Sequence, residues 1–196
     1  VALARALFSF FSLHFSEKEL LAAANIEEVA THINPSGLDA ATCASNTPIW
    51  MMSGKIKRIP INLDGCLLIC DTGIKGQTSE AIAAVKKRLG SDAKETNALF
   101  DKLQELTLAA KKQLAKNDLL GLGQTFDAAQ SVLKTLGVSC DELDEYISVA
   151  KDNGALGAKL TGGGRGGCFI CLTKNAAQAN ELAQKLRLAG VRQTWI

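Results

Sequence analysis

The chain has 196 residues, a formal net charge of +2, 47% hydrophobic residues and 21% charged residues. That is an ordinary globular composition, long enough to bury a core. The near-neutral charge argues against nucleic acid and membrane surfaces as partners, and no apolar run reaches the ~20 residues of a membrane span.

Residues 1–13 read as a helix that is apolar on nearly every side and therefore buried. The chain enters it without a Met or a lead-in, as a fragment would. Ser16 with Glu19 has the capping-box spacing and opens a second helix to about residue 31. That helix carries Glu27 and Glu28 side by side, and periodicity does not decide which of them faces inward. A third helix is expected over residues 34–45, with Asn34 as cap and Pro35 in the first helical position. On it Ser36, Asp39 and Cys43 fall at i, i+3 and i+7, so one face carries a hydroxyl and a carboxylate. Asp39 lies about one turn from the positive end of the helix, where negative charge is favoured. A capped surface helix with a solvated Asp is the plain alternative.

Residues 48–52 and 55–62, joined by Ser53-Gly54, read as a β-hairpin. A domain boundary is expected near residues 62–65. A short apolar strand follows over 66–71 and ends in the polar turn DTGIKGQT. Helices are expected over 79–89, 97–116 and 119–136, the last closed by Gly137. A Ser139–Glu142 capping box should open another over about 139–153. Strands over 158–161 and 167–173 flank the sequence GGGRG, and a helix over 176–188 leads to a strand over 191–196. From residue 66 onward the order is that of a split β-α-β, ferredoxin-like sandwich with helices inserted in the first crossover. The fold class is α+β.

Cys66, Cys70, Cys168 and Cys171 lie in the apolar runs CLLIC and CFIC and read as core strand residues. Cys168 and Cys171 have CxxC spacing, but no second CxxC and no Cys/His cluster accompanies them. Reduced thiols and a cytoplasmic setting are the expectation.

Three stretches carry residues that suggest chemistry. Residues 162–167, GGGRGG, place five glycines in six positions, at about 0.5–1 kcal/mol each relative to Ala, or about 2–5 kcal/mol in all. Such a loop is expected where backbone N–H groups approach an anion closely, typically phosphate; the alternative is a bulged hairpin. It matches neither the Rossmann nor the Walker pattern. In DTGIKGQTSE a strand runs through glycine turns to a helix start, where backbone donors and the Thr78 hydroxyl could meet an anion, or Thr78 could simply cap the helix. Glu28 and Asp39, on adjacent helices, suit a shared Mg²⁺ on nucleotide phosphates with one of them acting as base.

THINPSGLDAATCAS, DTGIKGQT and AKLTGGGRGGCFICL, in this order, resemble the mevalonate kinases of the GHMP kinase superfamily, with the nearest likeness to bacterial members. The resemblance covers essentially the whole chain. It implies a remnant of the N-terminal ATP-binding domain over residues 1–63 and the GHMP C-terminal domain over 64–196. It implies transfer of the ATP γ-phosphoryl group to the primary alcohol of mevalonate in isoprenoid biosynthesis, with Mg²⁺, and it admits a homodimer. Carried over position by position, Asp39 is the catalytic base and Glu28, eleven residues before it, the Mg²⁺ ligand. Gly162, Gly163, Gly164, Arg165 and Gly166 line the nucleotide phosphates, and Ser36 and Thr78 face the substrate.

Ile33 stands where the family often has Gly, and Arg165 where it frequently has Gly; neither His32 nor His14 is given a role. The family's main phosphate loop and assisting lysine would precede this sequence. If the 196 residues are the whole molecule, no kinase activity is expected. Another GHMP kinase acting on phosphomevalonate or homoserine, or a non-catalytic relative, are the alternatives.

Overall fold

A computed structural model describes residues 1–31 and 37–196, the side chains of 27–31 excepted. Two compact units, Val1–Ile61 and Asn62–Ile196, divide the chain.

The first unit holds α1 (Ala2–Phe10), α2 (Glu17–Thr31), α3 (Leu38–Ala44) and a hairpin of β1 (Ile49–Met52) with β2 (Lys55–Arg58). The capping box forms as expected. The Ser16 N–H and hydroxyl both donate to Glu19 Oε2 at 2.8 and 2.7 Å, and the Glu19 N–H donates back to Ser16 Oγ at 3.3 Å. These bonds favour the charged carboxylate and hold Glu19 below its usual range. The hairpin turns at Ser53-Gly54, with Met52 opposite Lys55, but its second arm ends at Arg58.

α1 departs from expectation. None of its residues is buried, and Phe10 is 80% exposed. Apolar residues all round a helix need partners all round. Among the described elements α2 packs against it, which covers one stripe only. Arg5 does reach across to donate to the Ala44 carbonyl at 2.9 Å, placing a cation at the negative end of α3.

The second unit holds β3 (Cys66–Asp71), α4 (Thr78–Ser91), α5 (Ala93–Lys116), α6 (Leu119–Thr135), α7 (Asp141–Asp152), β4 (Gly157–Thr161), β5 (Cys168–Thr173), α8 (Ala176–Leu188) and β6 (Gln193–Trp195). The strands form an antiparallel sheet in the order β4-β5-β3-β6, the ferredoxin-like arrangement, with α4 to α7 filling the first crossover. Alternation along CLLIC sends Leu68 and Cys70 to the covered face and leaves Leu67 and Ile69 on the other. On the covered face they meet Ala158, Leu160, Phe169 and Cys171, under Leu143 and Ile147 of α7 and Leu182 and Leu186 of α8. Cys70 and Cys171 are core residues as read, while Cys66 and Cys168 are only partly buried. The Cys171 thiol is pushed far up by its hydrogen bond with Cys70 and by burial, so it stays protonated.

Phe169 is fully buried and stacks on Tyr146 with centroids 6.3 Å apart. Phe169→Ala should cost about 3–5 kcal/mol. A urea titration checks this: the midpoint should fall at unchanged slope.

Two helix starts differ from the sequence expectation. Asp92 caps α5 by accepting from the Glu95 N–H at 2.8 Å, so the helix begins at Ala93 rather than 97. The Ser139–Glu142 capping box does not form, because the N-cap of α7 is Cys140. The Ser139 hydroxyl instead donates to Asp144 Oδ1 at 2.8 Å and accepts from Gln130 Nε2 at 3.0 Å. Gln130 also belongs to a set of contacts by which α6 closes the β4 edge. The Leu160 N–H donates to Gln130 Oε1 at 2.9 Å and the Ala158 N–H to Asp127 Oδ1 at 3.0 Å. Among the described residues no helix is long and apolar enough to cross a membrane.

Candidate functional site

β4 and β5 are joined by the glycine segment, with Thr161 opposite Cys168 at its base. The segment is thus a hairpin connection, and it folds down onto two other pieces of backbone. The Arg165 N–H donates to the Val138 carbonyl at 2.9 Å, and Arg165 Nε donates to the Gly137 carbonyl at 3.0 Å. The Gly167 N–H donates to the Ile74 carbonyl at 2.8 Å, while the Thr72 hydroxyl and N–H both donate to the Gly167 carbonyl. The DTGIKGQT turn and the glycine loop, far apart in sequence, are therefore one hydrogen-bonded structure.

Two glycines show how tight it is. A Cβ at Gly163 would lie 2.1 Å from Thr78 Oγ1. One at Gly164, whose φ is +80°, would lie 2.1 Å from the Val138 carbonyl oxygen. Any larger residue would push the loop off α4 or off the turn after α6. The structure so brings together Thr78 and the glycine loop, which the sequence reading placed in one site. Thr78 is the first residue of α4, with an exposed side chain at the end where backbone N–H groups point outward. Among the described residues the N–H groups of Gly163 and Gly164 meet no protein acceptor. Exposed helix-start donors beside a glycine backbone suit an anion.

Arg165 lies beside the start of α4. Beyond its bond to Gly137, its guanidinium faces Glu80 at 3.4 Å. It also borders a cleft of about 360 Å³ with Ile74, Gln77, Ser139, Cys140, Asp141 and Glu142. Asp141 and Glu142 on that wall disfavour phosphate, while Gln77, the N-cap of α4, and Arg165 carry the cleft up to the helix start that Thr78 opens. Burial pushes the Cys140 thiol up, so it offers no anion of its own. The sequence reading paired Arg165 with neither Gly137 nor Glu80. The one signal was a lone cation among glycines, which needs acceptors.

In the first unit, α3 spans Leu38–Ala44 with Gly37 as its cap, and the expected start at Asn34-Pro35 lies outside the described residues. Asp39 therefore sits in the first turn, nearer the positive end than expected. Ala40, Ala41 and Ala44 are the buried side of α3, and Asp39 and Cys43 are exposed. Ser36, His32, Asn34 and Pro35 lie outside the described residues. Glu28 is on α2, which packs against α3, but its side chain and that of Glu27 also lie outside the described residues. Asp39 belongs to the first unit and the glycine loop with Thr78 to the second.

Residues 110–192 match the family described as GHMP kinases C terminal. The chain is 29% identical to the mevalonate kinase of Pyrococcus horikoshii over 195 residues, covering 97% of this chain and 57% of that protein. It is 30% identical to the mevalonate kinase of Aeropyrum pernix over 171 residues, covering 85% of this chain and 53% of that one. Among solved structures, Leishmania major mevalonate kinase in complex with R-mevalonate superposes with a TM-score of 0.86 at 28% identity, over 99% of this chain and 61% of that one. The chain thus spans a little over half the length of the curated relatives it matches.

Proposed function

We propose that this chain, a homologue of the GHMP kinases, is part of a mevalonate kinase transferring the γ-phosphoryl group of ATP to the primary alcohol of (R)-mevalonate. The observation that carries this reading is the likeness to mevalonate kinases over 97% of the chain, with the fold matched to one that binds R-mevalonate. The chain's six free cysteines fit a reducing compartment, and the cytoplasm is the one we propose.

In the reaction the substrate oxygen forms a bond to the γ-phosphorus, the bond to the ADP oxygen breaks, and the hydroxyl proton leaves. Asp39 takes that proton or orients the hydroxyl, from the exposed first turn of a helix held by its alanine face. Glu28, on the helix that packs against α3, would hold Mg²⁺, an ion that prefers one or two carboxylates plus phosphate oxygens. That ion supplies charge neutralisation at the phosphates when bound. Gly162, Gly163, Gly164, Arg165 and Gly166 line the phosphates, and the bonds from Arg165 to the Gly137 and Val138 carbonyls hold the loop in place. Ser36 and Thr78 face the substrate.

A substrate panel on the intact protein tests the reading, with ADP release measured for mevalonate, phosphomevalonate and homoserine. Mevalonate should give the highest kcat/KM. A higher value for either of the others would reassign the enzyme within the superfamily.

A further inference from the structure

The sheet face away from α7 and α8 carries a second cavity that none of the residues given a role above lines. It has a volume of about 360 Å³ and lies between α5, α6 and the β4–β5 pair. Leu103, Leu106, Phe126, Leu133 and Ile170 form most of its wall, and Lys159, opposite Ile170 in the strand register, supplies its cation. Such a volume with apolar walls and a single convergent charge is the usual build of a small-molecule site.

The polar atoms decide what could enter. The Thr107 hydroxyl donates to the Leu103 carbonyl at 2.7 Å and the Thr125 hydroxyl to Gln113 Oε1 at 2.9 Å, so neither has a proton to spare. The Lys159 ammonium has three donors and uses one, on the Leu160 carbonyl at 2.5 Å. Among the described residues no carboxylate pairs with it. Burial without a counter-charge holds its ammonium below the ordinary lysine range. A desolvated cation in an apolar wall is costly unless it is paired.

We propose that this cavity binds a small amphipathic anion, its carboxylate or phosphate on Lys159 Nζ and a short apolar body against Leu106, Phe126 and Ile170. The proposal does not rest on the kinase reading.

Octanoate, octyl phosphate and 1-octanol serve as probes, titrated calorimetrically into the full chain. Octanoate or octyl phosphate should bind one per chain, and whichever is tighter identifies the head group. The neutral alcohol should bind about tenfold more weakly, the difference made by one charge-assisted hydrogen bond. Lys159→Met keeps the stem and should lower anion affinity to that of the alcohol while leaving the alcohol unchanged. Thr107→Trp, at an exposed position on the cavity wall, should abolish all three. Binding of neither anion at millimolar concentration would overturn the proposal. So would anion binding that is no tighter than that of octanol, or that persists in Thr107→Trp. The last two readouts stand even if Lys159→Met fails to fold.

Discussion

With Asp39 as the base of the proposed kinase, Asp39→Ala should lower kcat of the intact protein by about 10²–10⁴-fold, the usual worth of a positioned general base, with ATP affinity little changed. The site makes this a clean test. Asp39 is exposed and lies in the first turn of α3, while the residues that fix the helix, Ala40, Ala41 and Ala44, are on its buried side. Removing the carboxylate therefore takes nothing from the core. The folding cost is confined to a lost charge at the helix start, about 0.3–1 kcal/mol. Asp39→Asn keeps the shape and removes the basicity, so it should fall nearly as far as Asp39→Ala. Asp39→Glu keeps the basicity and moves it by one methylene. It should still lose about 10²-fold, because an ångström of misplacement costs that much. Steady-state kinetics on circular-dichroism-checked variants decide it. Near-normal turnover in Asp39→Ala would remove Asp39 from the reaction.

How much of this was open to the sequence differs from element to element. CLLIC and CFIC are continuous apolar runs of strand length, and the two runs pair in the sheet with Leu68 opposite Cys171. Ser53-Gly54, Gly137 and the Ser16–Glu19 box are local signals with local consequences, and each sits where its chemistry demanded. Asp92 with Glu95 is the same kind of signal and was overlooked. Ser139 is a different case. Its spacing to Glu142 matched a cap, but Gln130 on α6 and Asp144 on α7 compete for its hydroxyl, and the Gln130 contact exists only after the chain has folded. The same holds for Asp127 and Gln130 on the edge of β4. α1 shows the limit of periodicity: an apolar helix announces a wish to be buried, not what will bury it.

The candidate site divides in the same way. The glycine count showed that the loop was costly, and the helix start at Thr78 showed a donor end. That Gly163 rests on Thr78 is a tertiary fact. Asp39 and Glu28 drew their roles from family likeness, since an exposed Asp in a helix start and one of two adjacent glutamates carry no distinguishing local pattern.

The loop also makes the second large prediction. Gly164→Ala should destabilise the second unit by about 2–5 kcal/mol. About 1–2 kcal/mol is the cost of a side chain at a left-handed φ, and about 1–3 kcal/mol the cost of overpacking against the Val138 carbonyl, which cannot rotate away. Gly162→Ala separates the two contributions. Its φ of +82° is nearly the same, but nothing lies within 4 Å of the added Cβ, so it should show the backbone cost alone. Urea midpoints for the pair therefore measure the contact between loop and turn by difference. If the loop also lines the phosphates, Gly164→Ala should weaken Mg·ATP binding in a calorimetric titration of the intact protein at temperatures where the variant stays folded. Equal midpoints for the two variants would mean that the loop does not press on Val138. A destabilised Gly164→Ala with unaltered Mg·ATP affinity would make the glycines architectural, there to let β4 and β5 turn tightly over α4.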